Sequence, residues 1–168
     1  MNIRKEKDSD KEQIWQVNAA AFETEAEANL VNALRDSGIP FISFVAEEDE
    51  EILGHILFTP VELVGDDSGL RLMGLAPMAV LPKVQKKGIG SQLVRTGIIQ
   101  CSTQGYDAIV VLGHPEYYPK FGFVPSIEYG IKSEYEVPDE AFMVLELKKS
   151  SMKGKKGMIK YHDAFGSV

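Results

Sequence analysis

Three features of the chain predict a mixed α/β or α+β sheet. Two helix patterns with start signals fill the first forty residues, apolar strand runs follow between 41 and 81, and a strand–helix–strand passage ends at 112. The first element is a short strand over 2–6. Ser9 and Glu12 have the spacing of a capping box, in which a hydroxyl and a carboxylate satisfy free amides, and a helix follows to about Phe22 with Ile14, Val17 and Ala21 inward. Thr24 and Glu27 repeat the device. Leu30, Ala33 and Leu34 keep helical spacing until Gly38 and Pro40 stop the helix. Runs 41–47 and 52–64 read as strands, bounded by an acidic turn and by the glycines and aspartates at 65–69. A third long strand spans 70–81 and ends at Pro82. The period then switches to helical over 88–103, with Ile89, Leu93, Ile98 and Cys101 on or near one face. AIVVL at 108–112 is a continuous apolar run, as expected of a strand buried on both faces. Pro115 suits the first turn of a short helix that Pro119 and Gly122 keep short. Strands over 142–147 and 158–161 complete the order, the first closing a domain over 1–150 and the second adding a strand in a basic extension, 151–168.

Composition narrows the function classes. At 168 residues, 44% hydrophobic and 26% charged, the chain is one ordinary globular domain by length and neither disordered nor fibrous. No apolar run approaches the ~20 residues that cross a bilayer, and residues 1–10 are too polar for a signal peptide. A lone cysteine, Cys101, excludes an internal disulfide, and three scattered histidines argue against a metal site, so the expectation is a reducing cytoplasm and no metal. The net charge of −7 opposes nucleic acid as a partner, and nothing suggests a membrane. Charge is uneven, because 148–160 holds six lysines and no carboxylate, leaving the remainder at −13. Gly154 and Gly157 break any helical basic stripe there, and a solvated tail or strand edge is the simplest reading. An exposed late strand offers pairing across a homodimer.

Chemistry concentrates in MAVLPKVQKKGIGS, residues 78–91. A strand ends at a proline, a basic loop follows, and two glycines open an amphipathic helix. Free N–H groups at a helix start lie at the positive end of the macrodipole, and glycine lets an anion approach the backbone. Lys83, Lys86 and Lys87 add positive charge. The segment is an anion cradle in an acidic protein. It is not a nucleotide-hydrolysing loop, since no G-x-x-x-x-G-K-[ST] occurs, and a dinucleotide fingerprint would need glycine where Leu93 stands.

Gln85-x-x-Gly88-x-Gly90 after an apolar strand resembles the pyrophosphate-binding signature of the GNAT acyl-CoA N-acyltransferase superfamily. Tyr118-x-x-x-Gly122-Phe123 resembles the tyrosine and Gly-Phe pair that closes the coenzyme site in that family, and GHPEYYPKFGF at 113–123 is similar to a bacterial subgroup of predicted N-acetyltransferases. The likeness covers about residues 2–147 in element order, with its specific motifs inside 73–123.

The resemblance implies a central, mostly antiparallel sheet with two splayed strands, flanked by helices. It implies acetyl-CoA as cosubstrate, with the pyrophosphate on the backbone of Gln85, Lys86, Lys87, Gly88, Ile89, Gly90 and Ser91. The pantetheine arm would lie between strands 70–81 and 108–112 and contact Met78, Ala79 and Val80, where unpaired strand groups suit an amide-bearing arm. Gly113, Tyr117 and Phe121 would add further coenzyme contacts. Tyr118 is the expected general acid toward the departing thiolate, with Tyr117 its rival and simple aromatic packing its bland alternative. A backbone N–H near Met78 could stabilise the oxyanion of direct amine attack.

Two departures from the family stand out. Many relatives place a glutamate on the strand before the signature, but 70–81 holds neither Asp nor Glu, so the general base stays open among His55, His114 and Glu116. Many also have asparagine after the second splayed strand, a place that Leu112-Gly113-His114 takes in this chain. The acceptor, a small-molecule or peptide amine, is not legible. Glu23, Glu25, Glu27, Glu134 and Glu136 suit a cation but suit solvent equally well. A noncatalytic coenzyme-binding sensor is the second reading, supported by the missing glutamate. Cys101 sits in an apolar helical pattern and reads as a buried hydrophobe.

Overall fold

The computed structural model describes residues 1–167. Its contacts divide the chain into two units. The first comprises Met1–Thr59, Ala76–Gln100 and the residues from Asp163; the second comprises Pro60–Leu75 and Cys101–His162.

In the first unit, β1 (Asn2–Lys5) pairs antiparallel with β2 (Ile42–Glu48), and β2 pairs antiparallel with β3 (Glu51–Leu63), with a bulge at Ala46/Glu47. The later half of β4 (Leu72–Val80) follows β3 in strand order. Helix α1 (Lys11–Ala21) buries Ile14 and Val17, and α2 (Ala26–Asp36) buries Leu30 and Leu34, as their spacing predicts. Ala33 is exposed and Val31 takes the inward place, while Ala21 is only half-buried. The expected Ser9–Glu12 cap is replaced. Asp10 accepts from the Lys7 amide at 2.7 Å and from both terminal nitrogens of Arg4, at 2.7 and 3.0 Å. Arg4 also reaches Glu47, so a tertiary ion-pair cluster sets the start of α1 and holds the Asp10 carboxyl below the usual range. Helix α3 (Ile89–Thr103) packs its Gly97 on Phe58, where a Cβ would overlap Cε1 and Cζ of the ring. Gly54 of β3 admits Ile89 and Leu93 from the start of α3 in the same way.

His55 anchors a polar chain in this core. It is 0% exposed, with Nδ1 3.1 Å from Asn18 Nδ2 and Nε2 3.0 Å from Ser43 Oγ. Asn18 Nδ2 is a donor, so Nδ1 accepts and Nε2–H donates to Ser43, whose hydroxyl donates to Glu6 Oε1 at 2.7 Å. Glu6 in turn pairs with Arg35 at 2.7 Å. Burial, with a lesser push from Arg35, lowers the imidazole to about 3 from its ordinary 6.5. Between these values the unfolded chain takes up a proton that the folded chain refuses. Stability from this group is therefore complete above pH 6.5 and falls as pH drops, by up to about 1.4 kcal/mol per pH unit. Urea unfolding between pH 5 and 6.5 should show this slope, and His55→Gln should flatten it; an unchanged slope in the variant would contradict the buried neutral ring.

The second unit orders the start of β4, then β5 (Ala108–Leu112), β8 (Phe142–Glu146) and β6 (Val124–Pro125). β4 and β5 run parallel from Leu72↔Ala108 to Gly74↔Val110, whereas β5–β8 and β6–β8 are antiparallel. The sheet is thus mixed and mainly antiparallel. β5 is buried over four residues, but Leu112 is exposed, so the expected double-sided burial stops one residue early. β7 (Ile131–Ser133) and β9 (Gly157–Lys160) pair in parallel, and β9 also pairs with the end of β3. Gly74 of β4 leaves room for the Tyr161 ring, which a Cβ would meet at 3.0 Å.

Candidate active site

The signature begins where β4 ends. Leu81 N–H donates to Leu53 O at 2.9 Å, closing the strand, and residues Pro82–Val84 form one 3₁₀ turn. Gln85 then folds back, its Nε2 donating to Val80 O at 2.9 Å, so this glutamine locks the turn through its side chain. Lys86 and Gly88 adopt left-handed backbone, with φ of 64° and 85°. Alternating handedness of this kind turns successive N–H groups toward one concavity, a nest for an anion. Among the described residues, the amides of Lys86, Gly88, Ile89 and Gly90 donate to nothing, whereas Lys87 N–H closes the turn over Gln85 and Lys86 and Gln92 N–H closes the first helical bond on Gly88 O at 3.1 Å. Four unsatisfied amides thus gather at the positive end of a 15-residue helix. A Cβ on Gly88 would meet no atom within 4 Å, so its glycine serves conformation and open access, not internal packing.

The lysines divide in role. Lys83 is neutralised by Glu51 at 2.9 Å, whereas Lys86 and Lys87 are exposed and make no ion pair among the described residues. Met78 and Val80 are half-buried and Ala79 is buried. A surface depression near α2, lined by Val31, Leu34, Arg35, Phe41 and Leu57, includes no signature residue.

In the second unit, the predicted aromatic segment is a cluster. Pro115 opens a turn over 115–117, as expected, and a 3₁₀ turn carrying Pro119 follows over Tyr118–Phe121. His114 O accepts from Tyr117 and Tyr118 N–H at 3.0 and 3.4 Å, and left-handed Gly122 ends the turn. Tyr118 is 7% exposed and meets Tyr117 and Phe123 edge-on, with centroids 5.0 and 5.7 Å apart, and Phe121 at a tilt. Burial, helped by Tyr117, raises its phenol to about 12. No hydrogen bond among the described residues uses the Tyr118 hydroxyl. Tyr117 carries Lys120 over its ring at 4.0 Å. Gly113 N–H donates to Ala141 O at 2.9 Å, which leaves its carbonyl as the backbone group open to a ligand.

The three base candidates separate clearly. His55 is sealed in the core and spent on Asn18 and Ser43, whereas His114 and Glu116 are exposed. Cys101 is buried and its thiol is pushed up to about 12, so it is no nucleophile. No metal-binding group of His, Cys, Asp and Glu occurs among the described residues, and no helix among them is long and apolar enough to cross a membrane. Sequence reading missed the bracing parts, namely the Gln85 side chain on Val80, Glu51 on Lys83, Gly54 beneath α3 and Gly97 on the inner face of α3. Only a glycine inside the apolar run 52–64 signalled any of them.

An acetyltransferase (GNAT) domain matches over residues 40–125. The chain is 36% identical over 146 residues to the uncharacterized N-acetyltransferase YhbS of Escherichia coli, covering 86% of each, and 38% identical over 135 residues to YjhQ of the same organism, covering 79% of the chain and 75% of YjhQ. The crystal structure of Escherichia coli YhbS in complex with CoA superposes with a TM-score of 0.93 at 34% identity, over 98% of this chain and 91% of that one. A Brucella melitensis GNAT family acetyltransferase, solved with acetyl-CoA, gives 0.79 at 36% identity, over 98% and 97%. The chain therefore belongs to the GNAT family of acyl-CoA-dependent acetyltransferases.

Proposed function

We propose that this chain binds acetyl-CoA and transfers its acetyl group to a primary amine by direct attack in a ternary complex. The observation that carries the reading is the set of four unsatisfied amides at the start of α3, a shape and polarity that match a pyrophosphate. The CoA and acetyl-CoA found in the two relatives support it. Gln85 through Ser91 hold the diphosphate, and the backbone of Met78, Ala79 and Val80 takes the pantetheine amides, with Gly113, Tyr117 and Phe121 as further contacts. The amine attacks as free base, since an ammonium has no lone pair and its ordinary pKa is ~10.4. A backbone N–H near Met78 stabilises the oxyanion. Tyr118 is the donor to the departing sulfur; its phenol is neutral and uncommitted to other partners.

Coenzyme release from acetyl-CoA across a panel of polyamines, aminoglycosides and basic peptides tests transfer directly. The expected result is saturable release with at least one amine. Tight acetyl-CoA binding without transfer to any amine, peptide or protein would instead make the chain a noncatalytic sensor, the reading that the carboxylate-free β4 favours.

A further inference from the structure

The Tyr118 ring lies against the bare Cα of Gly113. A Cβ at 113 would stand 2.8 Å from Cδ2 of Tyr118, closer still to Cε2, and 3.4 Å from Cζ. The ring thus fills the volume a side chain at 113 would need. Gly113 has no backbone reason to be glycine, because it is absent from the positive-φ glycines and its N–H makes an ordinary bond to Ala141 O. Its requirement is volume alone. On the other sides the ring is bounded by Tyr117, Phe121 and Phe123. A ring enclosed by three aromatic neighbours and a backbone has little freedom to shift when a side chain is added.

We infer that Gly113 is a positioning residue that sets where the Tyr118 hydroxyl stands, and that the bare backbone after β5 is a specificity of this chain for a phenol in that place. The inference rests on the proposed role of Tyr118 as donor to the sulfur. Gly113 itself needs no contact with the reacting atoms; its effect passes through the ring.

The test compares Gly113→Ala, Tyr118→Phe and the double variant by kcat and by KM for acetyl-CoA, with tyrosine labelled at ¹³Cζ for a pH titration. Gly113→Ala is expected to lower kcat by about 10²-fold, the usual consequence of a ~1 Å misplacement. Gly113 would meet the coenzyme through its carbonyl, which alanine keeps, so KM for acetyl-CoA should rise much less than kcat falls, and the Tyr118 resonance should titrate below the wild-type value as the ring is displaced. In the Tyr118→Phe background the added methyl should cost little more, because the group it displaces is already gone. An unchanged kcat in Gly113→Ala overturns the inference, as does an equal loss in both backgrounds. Full activity of Tyr118→Phe is a distinct result that sinks the donor reading and this inference with it. Should Gly113→Ala fail to fold, Gly113→Ala/Tyr118→Ala must recover the fold, since the ring is the obstacle; a double variant that stays unfolded overturns the inference.

Discussion

Tyr118→Phe should lower kcat by about 10²–10⁴-fold, the range for losing a positioned proton donor, while acetyl-CoA still binds. The substitution removes one oxygen and leaves the ring in its seat against Gly113 and Phe123. How the phenol acts follows from its acidity. A thiol has a reference pKa of ~8.5, so full transfer from a phenol near 12 is uphill by about 5 kcal/mol. The useful interaction is therefore a hydrogen bond that strengthens as charge gathers on sulfur, with the proton passing late. The same value fixes the pH behaviour. The acid form is required, and a raised pKa keeps that form complete until the pH nears 12, so Tyr118 should impose no alkaline loss of kcat below pH 10. Stopped-flow turnover of both proteins from pH 6 to 10 checks this. Unaltered kcat in the variant, or an alkaline limb near pH 9 that disappears with the hydroxyl, would remove the assignment.

Gly88→Val should abolish measurable coenzyme binding with modest loss of stability. Its backbone stands at φ 85°, where a β-branched side chain is strained by about 1–3 kcal/mol. Relief of that strain rotates the amides out of the nest. Each charge-assisted hydrogen bond lost costs about 1.5–3 kcal/mol, so losing two weakens binding by about 10²- to 10⁴-fold. The added side chain also enters the open space over Gly88, where no protein atom lies within 4 Å. Both effects act on the ligand more than on the core.

What the sequence revealed and what it concealed have separate physical causes. The helical period over 88–103 and the apolar run 108–112 are local patterns, and they appear as α3 and β5 with little change in bounds. The two-glycine helix start was legible because the chemistry of a free amide depends on local conformation. The start of α1 was misread because Arg4, from another strand, takes over Asp10 and displaces the local Ser9–Glu12 device. β6 and β7, of two and three residues, are too short to show a period in the sequence. His55 looked like a reagent in sequence and is a buried anchor, since only the fold brings Asn18 and Ser43 to its two nitrogens. The seat of the Tyr118 ring on Gly113 is a matter of volume between residues five apart, which no motif encodes.

Isothermal titration of acetyl-CoA into the purified protein, with Gly88→Val alongside, tests the central claim most directly. The account predicts one saturable site in the wild type and none in the variant. Absence of heat in the wild type, or equal affinity in both proteins, would contradict it.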